Sequence, residues 1–146
     1  MSSRRRDEAY ALALCDEVVG EASIREARFD WLRGDLSEKT GLRVKLPVDA
    51  YWPRLQLVVE FWERQHDEAV AIFDKPDVLT VSKVPRRKQR RLYDLRRAEV
   101  IPQQGLHLVI IKLSDLACSA RGKLLHDRDA DMPVIATTLR PYLSIH

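Results

Sequence analysis

The sequence predicts an α/β fold in which a mixed sheet of about four strands is flanked by helices. The first observation is size and composition: 146 residues, 45% hydrophobic and 32% charged, suit one globular domain over residues 1–146. The second is the order of local patterns along the chain, which is helix, three strands, helix, strand and helix. That order is typical of a mixed sheet covered by helices.

Each element follows from its own local pattern. Leu42–Trp52 alternates apolar with polar residues, as a half-buried strand does, whereas the apolar run Leu106–Leu113 favours a strand buried on both faces. Gly20 ends the first helix, and Pro102 and Gly105 end the second. Residues 1–6 are expected to be flexible, and RGDLSEKTG is expected to form a loop. The predicted elements are a helix at Arg6–Val19, strands at Ala27–Leu32, Leu42–Trp52 and Leu55–Trp62, a helix at Arg86–Ile101, a strand at Leu106–Leu113 and a helix at Asp131–Leu143.

Composition predicts a cytoplasmic protein. No apolar stretch approaches the roughly 20 residues that a membrane helix needs. The N-terminal sequence MSSRRRDEAY is basic but has no apolar segment behind it, so no secretory signal is predicted. Cys15 and Cys118 lie far apart in the sequence and outside any metal-ligand spacing. They are therefore expected to be reduced, buried thiols.

The two middle strands predict a hairpin that carries two opposed acids. If the hairpin turns between Arg54 and Leu55, Asp49 lies directly across from Glu60. Cross-strand like charges are destabilising, and Glu60 follows an apolar run, so its burial is also costly. A divalent cation with two oxygen ligands would relieve both problems. The alternative is that both acids face solvent or pair with arginines of the same region, namely Arg43, Arg54 or Arg64.

Gln65 and His66 follow the second strand of this hairpin, where the chain would turn back over its end. His66 is a candidate general base for an attacking water, or a hydrogen-bond donor to a phosphate. The alternative is an exposed histidine in a polar loop, which is the interpretation given to His107, His126 and His146.

A basic segment predicts contact with a polyanion. Six of the nine residues in Lys83–Arg91 are basic and none is acidic, although the formal net charge of the chain is only +3. A solvated helix face is the alternative, but such a face normally intersperses acids for i,i+4 pairs. Aromatic residues of the strands are candidates for base stacking or for core packing, with Trp62 favoured for a site role because it shares a strand face with Glu60. The proposed phosphate-binding residues are Lys83, Arg86, Arg87, Lys88, Arg90, Arg91 and Arg97.

Two segments, DAYWPRLQLVVEFWERQH and YDLRRAEVIPQQGLHLVIIKLSDL, carry a family resemblance. Together they resemble the PD-(D/E)xK nuclease superfamily, and in particular the branch of the very-short-patch-repair endonucleases and small bacterial relatives. The resemblance spans Phe29–Leu116 and implies a restriction-endonuclease-like fold. It implies that Asp49 is the central metal ligand, that Glu60 is the second acid, and that Asp94 orients a histidine or a metal-bound water. His66 matches the histidine that follows the second strand.

The match to this family departs from the family's pattern at two positions. The orthodox lysine two residues after the second acid is replaced by Trp62, so Gln65 or His66 would have to substitute for it. No Asp-Pro or Pro-Asp dipeptide flanks Asp49, since Pro47 lies two residues earlier. The resemblance also implies a glutamate on the first helix; this is expected to be Glu17, which has the better spacing to the Phe29 strand, with Glu21 as the alternative.

The sequence thus predicts a metal-dependent DNA endonuclease that uses Mg²⁺ or Mn²⁺. Asp49 and Glu60, with Glu17, would hold the metal, and water would be activated near Gln65 or His66. A double-strand cut would need two copies of the site, so a homodimer is a further expectation. The alternatives are a nucleic-acid-binding module that keeps the fold without cleaving, and a protein-interaction domain that uses the basic helix. Whether DNA or RNA is cut, and in which structure, stays open.

Overall fold

The sheet is the frame of the computed structural model, which describes residues 3–63 and 86–143. Within these ranges the sheet has four strands in the order β1-β2-β3-β4, with three α-helices around it. Short 3-10 turns at Pro53–Leu55 and Leu113–Asp115 follow β2 and β4. The elements are α1 (Ser3–Val19), β1 (Ile24–Leu36), β2 (Arg43–Trp52), β3 (Leu57–Trp62), α2 (Arg86–Gln103), β4 (His107–Lys112) and α3 (Arg128–Leu143).

The sheet is mixed, as predicted. β1 with β2 and β2 with β3 pair antiparallel, and β3 with β4 pairs parallel. In the β2–β3 hairpin, Ala50 pairs with Val59 and Trp52 pairs with Leu57. Extended by one residue, this register sets Asp49 opposite Glu60, which confirms the predicted hairpin.

Two apolar cores lie on opposite faces of the sheet. α1 and α3 cover one face, where they pack on Leu57, Val59 and Phe61 of β3. α2 covers the other face, where Ile101 packs near Val58. Every residue of β3 is buried because the strand is central and covered on both faces. By strand alternation, Glu60 and Trp62 point to the α2 side.

Several predicted boundaries are wrong for identifiable reasons. β1 continues to Leu36 through half of the expected loop, because Arg33 and Leu36 pair with β2. β4 is half-buried rather than buried on both faces, because it lies at the edge of the described sheet. α1 begins at Ser3, so part of the segment expected to be flexible is helical. α3 begins at Arg128, where the Asp127 carboxylate accepts the Ala130 N–H.

β1 and β2 continue beyond the sheet as a two-stranded arm, because β2 pairs with β3 only near its end. α2 holds this arm through Tyr93, whose hydroxyl accepts the Asp35 N–H at 3.0 Å. A Cβ at Gly34 would lie 2.9 Å from the Tyr93 hydroxyl, so only glycine fits there without displacement. No helix in the described ranges is both long and apolar enough to cross a membrane.

Candidate active site

Four carboxyl side chains from four different elements lie close together on this frame. Asp49 comes from β2, Glu60 from β3, Asp94 from α2 and Glu8 from α1. Asp49 interacts with Glu60 and hydrogen bonds with Glu8, and Glu60 experiences the charges of Asp94 and Glu8. Glu60 is 2% exposed. The sequence-based alternative, in which these acids face solvent, therefore does not hold for Glu60.

The hairpin opens where the two acids face each other. The Asp49 N–H donates to Glu60 Oε2 at 2.6 Å, and the Phe61 N–H donates to Asp49 Oδ2 at 2.7 Å. The side chains thus accept backbone donors at the point where the regular pairing of Ala50 with Val59 ends. The backbone of β3 thus holds the Asp49 carboxylate, and the backbone of β2 holds the Glu60 carboxylate.

The other neighbour of β2 is irregular at the same level. In β1, Arg25 pairs with Ala50 and Ala27 pairs with Val48, but Glu26 between them has φ +54°. A left-handed conformation costs a non-glycine residue about 1–2 kcal/mol. Such strain concentrates at functional sites, where the surrounding structure maintains it. Asp49 therefore lies at a position that is distorted on both sides.

The electrostatics of the cluster favour the protonated forms. Burial, and after it the charge of Glu60, raises the pKa of Asp49 well above its usual range. Burial likewise raises the pKa of Glu60 to about 7, against the opposing effect of Arg97. Burial also raises the pKa of Asp94. Crowded carboxylates of this kind are held by shared protons or by a cation.

Arg97 places a positive charge among these acids. Its Nε donates to the Pro47 carbonyl oxygen at 2.8 Å and lies 3.5 Å from Glu60 Oε1, while Nη1 donates to Asp94 Oδ1 at 3.0 Å. Its side chain is only 13% exposed. The sequence assigned Arg97 to phosphate binding, whereas the structure places its guanidinium among the acids.

The acid that α1 contributes is Glu8. Glu17 is exposed and forms an ion pair with Arg128 of α3, with Nη2 donating to Glu17 Oε1 at 2.9 Å. It lies nine residues from Glu8, or about 13.5 Å along the helix. Glu21 pairs with Arg54. The expectation for either residue is therefore not met.

A signal for Glu8 was present in the sequence. Ala11, Leu12 and Cys15, which are buried on α1, stand three, four and seven residues after Glu8. This spacing puts Glu8 on the helix face that packs on the sheet. An acid that extends an apolar helix face is a better candidate than one chosen by its distance from the next strand.

The remaining predicted residues have separate outcomes. Gln65, His66 and Lys83 lie outside the described residues. Arg86 and Arg87 are the first residues of α2, but the structure describes only their backbone. Lys88 and Arg91 are half-buried, and Arg90 is exposed. Arg90 and Arg97 lie four residues before and three after Asp94, so these three share one face of α2, and the charges of both arginines act on Asp94.

In residues 3–63 and 86–143, no three His, Cys, Asp or Glu side chains form a group that could hold a metal ion. The donors that fit a hard cation here are the paired carboxylates of Asp49 and Glu60. Mg²⁺ is commonly held by one or two carboxylates, with water and substrate phosphates completing its shell.

Comparisons with known proteins give no further guide to the site. No protein-family model, curated protein or solved structure matches the chain. The resemblance to the PD-(D/E)xK superfamily therefore stays a prediction, and the functional argument depends on the geometry of the carboxylates.

Proposed function

We propose that this protein is a cytoplasmic, metal-dependent DNA endonuclease that hydrolyses phosphodiester bonds with Mg²⁺ or Mn²⁺. One observation carries the proposal: Asp49 and the buried Glu60 face each other in the β2–β3 hairpin, with Glu8 and Asp94 beside them. A buried group of like charges destabilises a fold, because its repulsion and desolvation are not compensated. The same group is a useful way to bind a cation.

The donor set fits a hard divalent ion. Asp49 and Glu60 would hold it through carboxylate oxygens, which Mg²⁺ and Mn²⁺ prefer. When bound, the ion would supply Lewis-acid stabilisation of the phosphoryl oxygens and a nucleophilic water at neutral pH. The bound ion would also offset the burial and the charge of Glu60, which together raise the pKa of Asp49.

The protein's own residues would position these groups. Arg97 bonds Asp94 and lies beside Glu60, so it fixes the second acid relative to α2. Gln65 and His66 are retained in the proposal as the groups near the attacking water. The basic residues at the start of α2 would hold the polyanionic substrate, since Arg90 lies one helical turn from Asp94. A double-strand cut would require a homodimer.

The test is cleavage of supercoiled plasmid with Mg²⁺, with Mn²⁺ and with EDTA. We expect Asp49→Asn and Glu60→Gln to lose more than the roughly 10- to 100-fold that loss of an outer-shell metal partner costs. Glu17→Gln is the matched control, because it also neutralises an acid but on the exposed part of α1. Circular dichroism checks that each variant is folded.

The outcomes separate the proposed function from its rivals. Cleavage that survives in Asp49→Asn would contradict the proposed site. Salt-sensitive DNA binding without cleavage would favour a non-catalytic nucleic-acid-binding module, which the replacement of the orthodox lysine by Trp62 also favours. Absence of both would leave a protein-interaction domain that uses the basic helix.

A further inference from the structure

A cavity of about 270 Å³ opens beside the candidate active site, at the carboxyl ends of the parallel strands β3 and β4. Ligand sites commonly lie outside this end of parallel strands. The volume is below the range of typical drug-sized pockets and suits a single ring system with its substituents. Residues that line the cavity include Trp62, Glu63, Lys112, Ser114, Cys118 and Gly122.

The lining combines an aromatic ring with donors and acceptors. Trp62 is 7% exposed and pairs in register with Lys112 on the neighbouring strand. Glu63 adds a carboxylate that is held 3.4 Å from the Arg4 Nε, and Ser114 adds a hydroxyl. Because only 7% of Trp62 is exposed, a base in the cavity would contact part of the ring and would be held mainly by hydrogen bonds to its own edge, as unpaired nucleobases commonly are.

The position of the cavity relative to the acids is set by β3. Trp62 follows Glu60 by two residues on the same face of the strand, a rise of about 7 Å. A nucleic-acid backbone that lies along the partly exposed Asp49 would therefore bring an adjacent base towards the cavity that Trp62 lines. Lys112 lies on the same face of β4, one strand further from Asp49.

We propose that this cavity receives one nucleobase turned out of the strand whose backbone lies along Asp49, the more exposed of the two opposed acids. The proposal rests on the function proposed above and makes it more specific. The substrate would then be DNA with an unpaired or easily extruded base, because unstacking costs least there. Regular duplex DNA would be a poorer substrate.

The experiment compares two duplexes of one sequence, in which a single extrahelical residue is either adenine or abasic. Binding is measured in EDTA by fluorescence anisotropy, so it does not depend on cleavage. We expect the wild-type protein to bind the adenine duplex roughly tenfold more tightly, as one or two hydrogen bonds to the edge of the base predict. Lys112→Met and Ser114→Trp should abolish this preference, the first by removing a donor and the second by filling the mouth of the cavity.

Lys123→Met is the matched control, because it removes the same charge from an exposed position outside the cavity lining. It should keep the tenfold preference. Equal, salt-sensitive binding of the two duplexes would overturn the base pocket and leave the nuclease proposal standing. An unchanged preference in both Lys112→Met and Ser114→Trp would also overturn it. Failure to bind either duplex in EDTA would overturn the base pocket, whereas the nuclease proposal is tested separately by plasmid cleavage with Mg²⁺ or Mn²⁺.

Discussion

Two buried acids in this protein, Asp131 and Glu60, have opposite surroundings. Asp131 is 0% exposed, and each of its oxygens accepts a hydrogen bond: Oδ2 from the Tyr10 hydroxyl at 2.5 Å and Oδ1 from the Ala117 N–H at 2.8 Å. It also lies in the first turn of α3, where the helix dipole favours a negative charge. Burial and the bond to Asp131 raise the pKa of Tyr10, so the phenol stays a donor.

Glu60 has one backbone donor and one arginine, but it faces the charges of Asp94 and Glu8. The two acids are equally buried, so burial alone does not distinguish a structural carboxylate from a functional one. The distinction is whether the groups around the carboxylate donate hydrogen bonds to it or are themselves negatively charged. Asp131 ties α1 to α3, whereas the cluster at Glu60 calls for a proton or a cation.

The largest expected effect comes from removing the structural acid. Asp131→Ala would leave the Ala117 N–H and the Tyr10 hydroxyl without their acceptor in a buried place. We expect a loss of about 3–5 kcal/mol in the free energy of unfolding, measured by urea denaturation at pH 7. Asp129→Ala removes an exposed acid from the same helical turn, and its cost should stay below about 1 kcal/mol. If the two variants lose similar amounts of unfolding free energy, the structural role assigned to Asp131 is wrong.

Replacing Glu60, the buried acid of the candidate site, should change the free energy of unfolding with the opposite sign. An acid whose pKa rises from 4.5 to about 7 on folding costs roughly 3 kcal/mol when it is ionised at pH 8. Between these values the native state holds a proton that the unfolded state has released, so stability falls as the pH rises from about 4.5 to 7. Glu60→Gln keeps the shape and removes the charge. It should therefore stabilise the protein by up to roughly 3 kcal/mol at pH 8 and have little effect near pH 4.5.

The measurement is urea denaturation of both proteins at several pH values across this window. Glu99→Gln, an exposed acid on α2, serves as the control and should change stability little at any pH. If Glu60→Gln is less stable than the wild-type protein at pH 8, then Arg97 compensates Glu60 fully. The comparison with Asp131 would in that case fail.

Local sequence patterns were sufficient to predict part of the candidate site. Period-two alternation and the break at Pro53 were enough to set the register of the hairpin, and with it the opposition of Asp49 and Glu60. Asp94 followed from the family resemblance. The basic character of the start of α2 was equally evident from the sequence.

The rest depends on tertiary contacts that no local pattern encodes. The positive φ of Glu26 lies between two regular pairs of β1 with β2, where no turn signal in the sequence marks it. From the sequence, Arg97 was predicted to belong to a basic surface. In the structure its side chain is largely buried, because its guanidinium contacts the Pro47 carbonyl oxygen, Glu60 and Asp94. Glu17 was chosen by spacing along the chain, which says nothing about the face of α1 on which a residue lies.

The smallest expected effect is stabilisation of the folded protein by a divalent ion. This effect should depend on the cluster at Glu60 and not on Asp131. At pH 8 the cluster is at its most charged, and a cation that binds only the folded protein should raise its melting temperature. With Mg²⁺ at about ten times its dissociation constant, the rise should be about 4 °C for a chain of this size. At pH 5 protons compete for the same oxygens, so the rise should largely disappear.

Differential scanning fluorimetry with and without Mg²⁺ at the two pH values measures this effect. Asp49→Asn should lose the rise, because it removes a ligand and half of the repulsion. Asp131→Asn should melt at a lower temperature but keep the rise, since Asp131 has donors rather than a cation to offset its charge. A rise that persists in Asp49→Asn, or one that is equal at pH 5 and pH 8, would place the ion elsewhere and leave the carboxylate cluster a proton-sharing site.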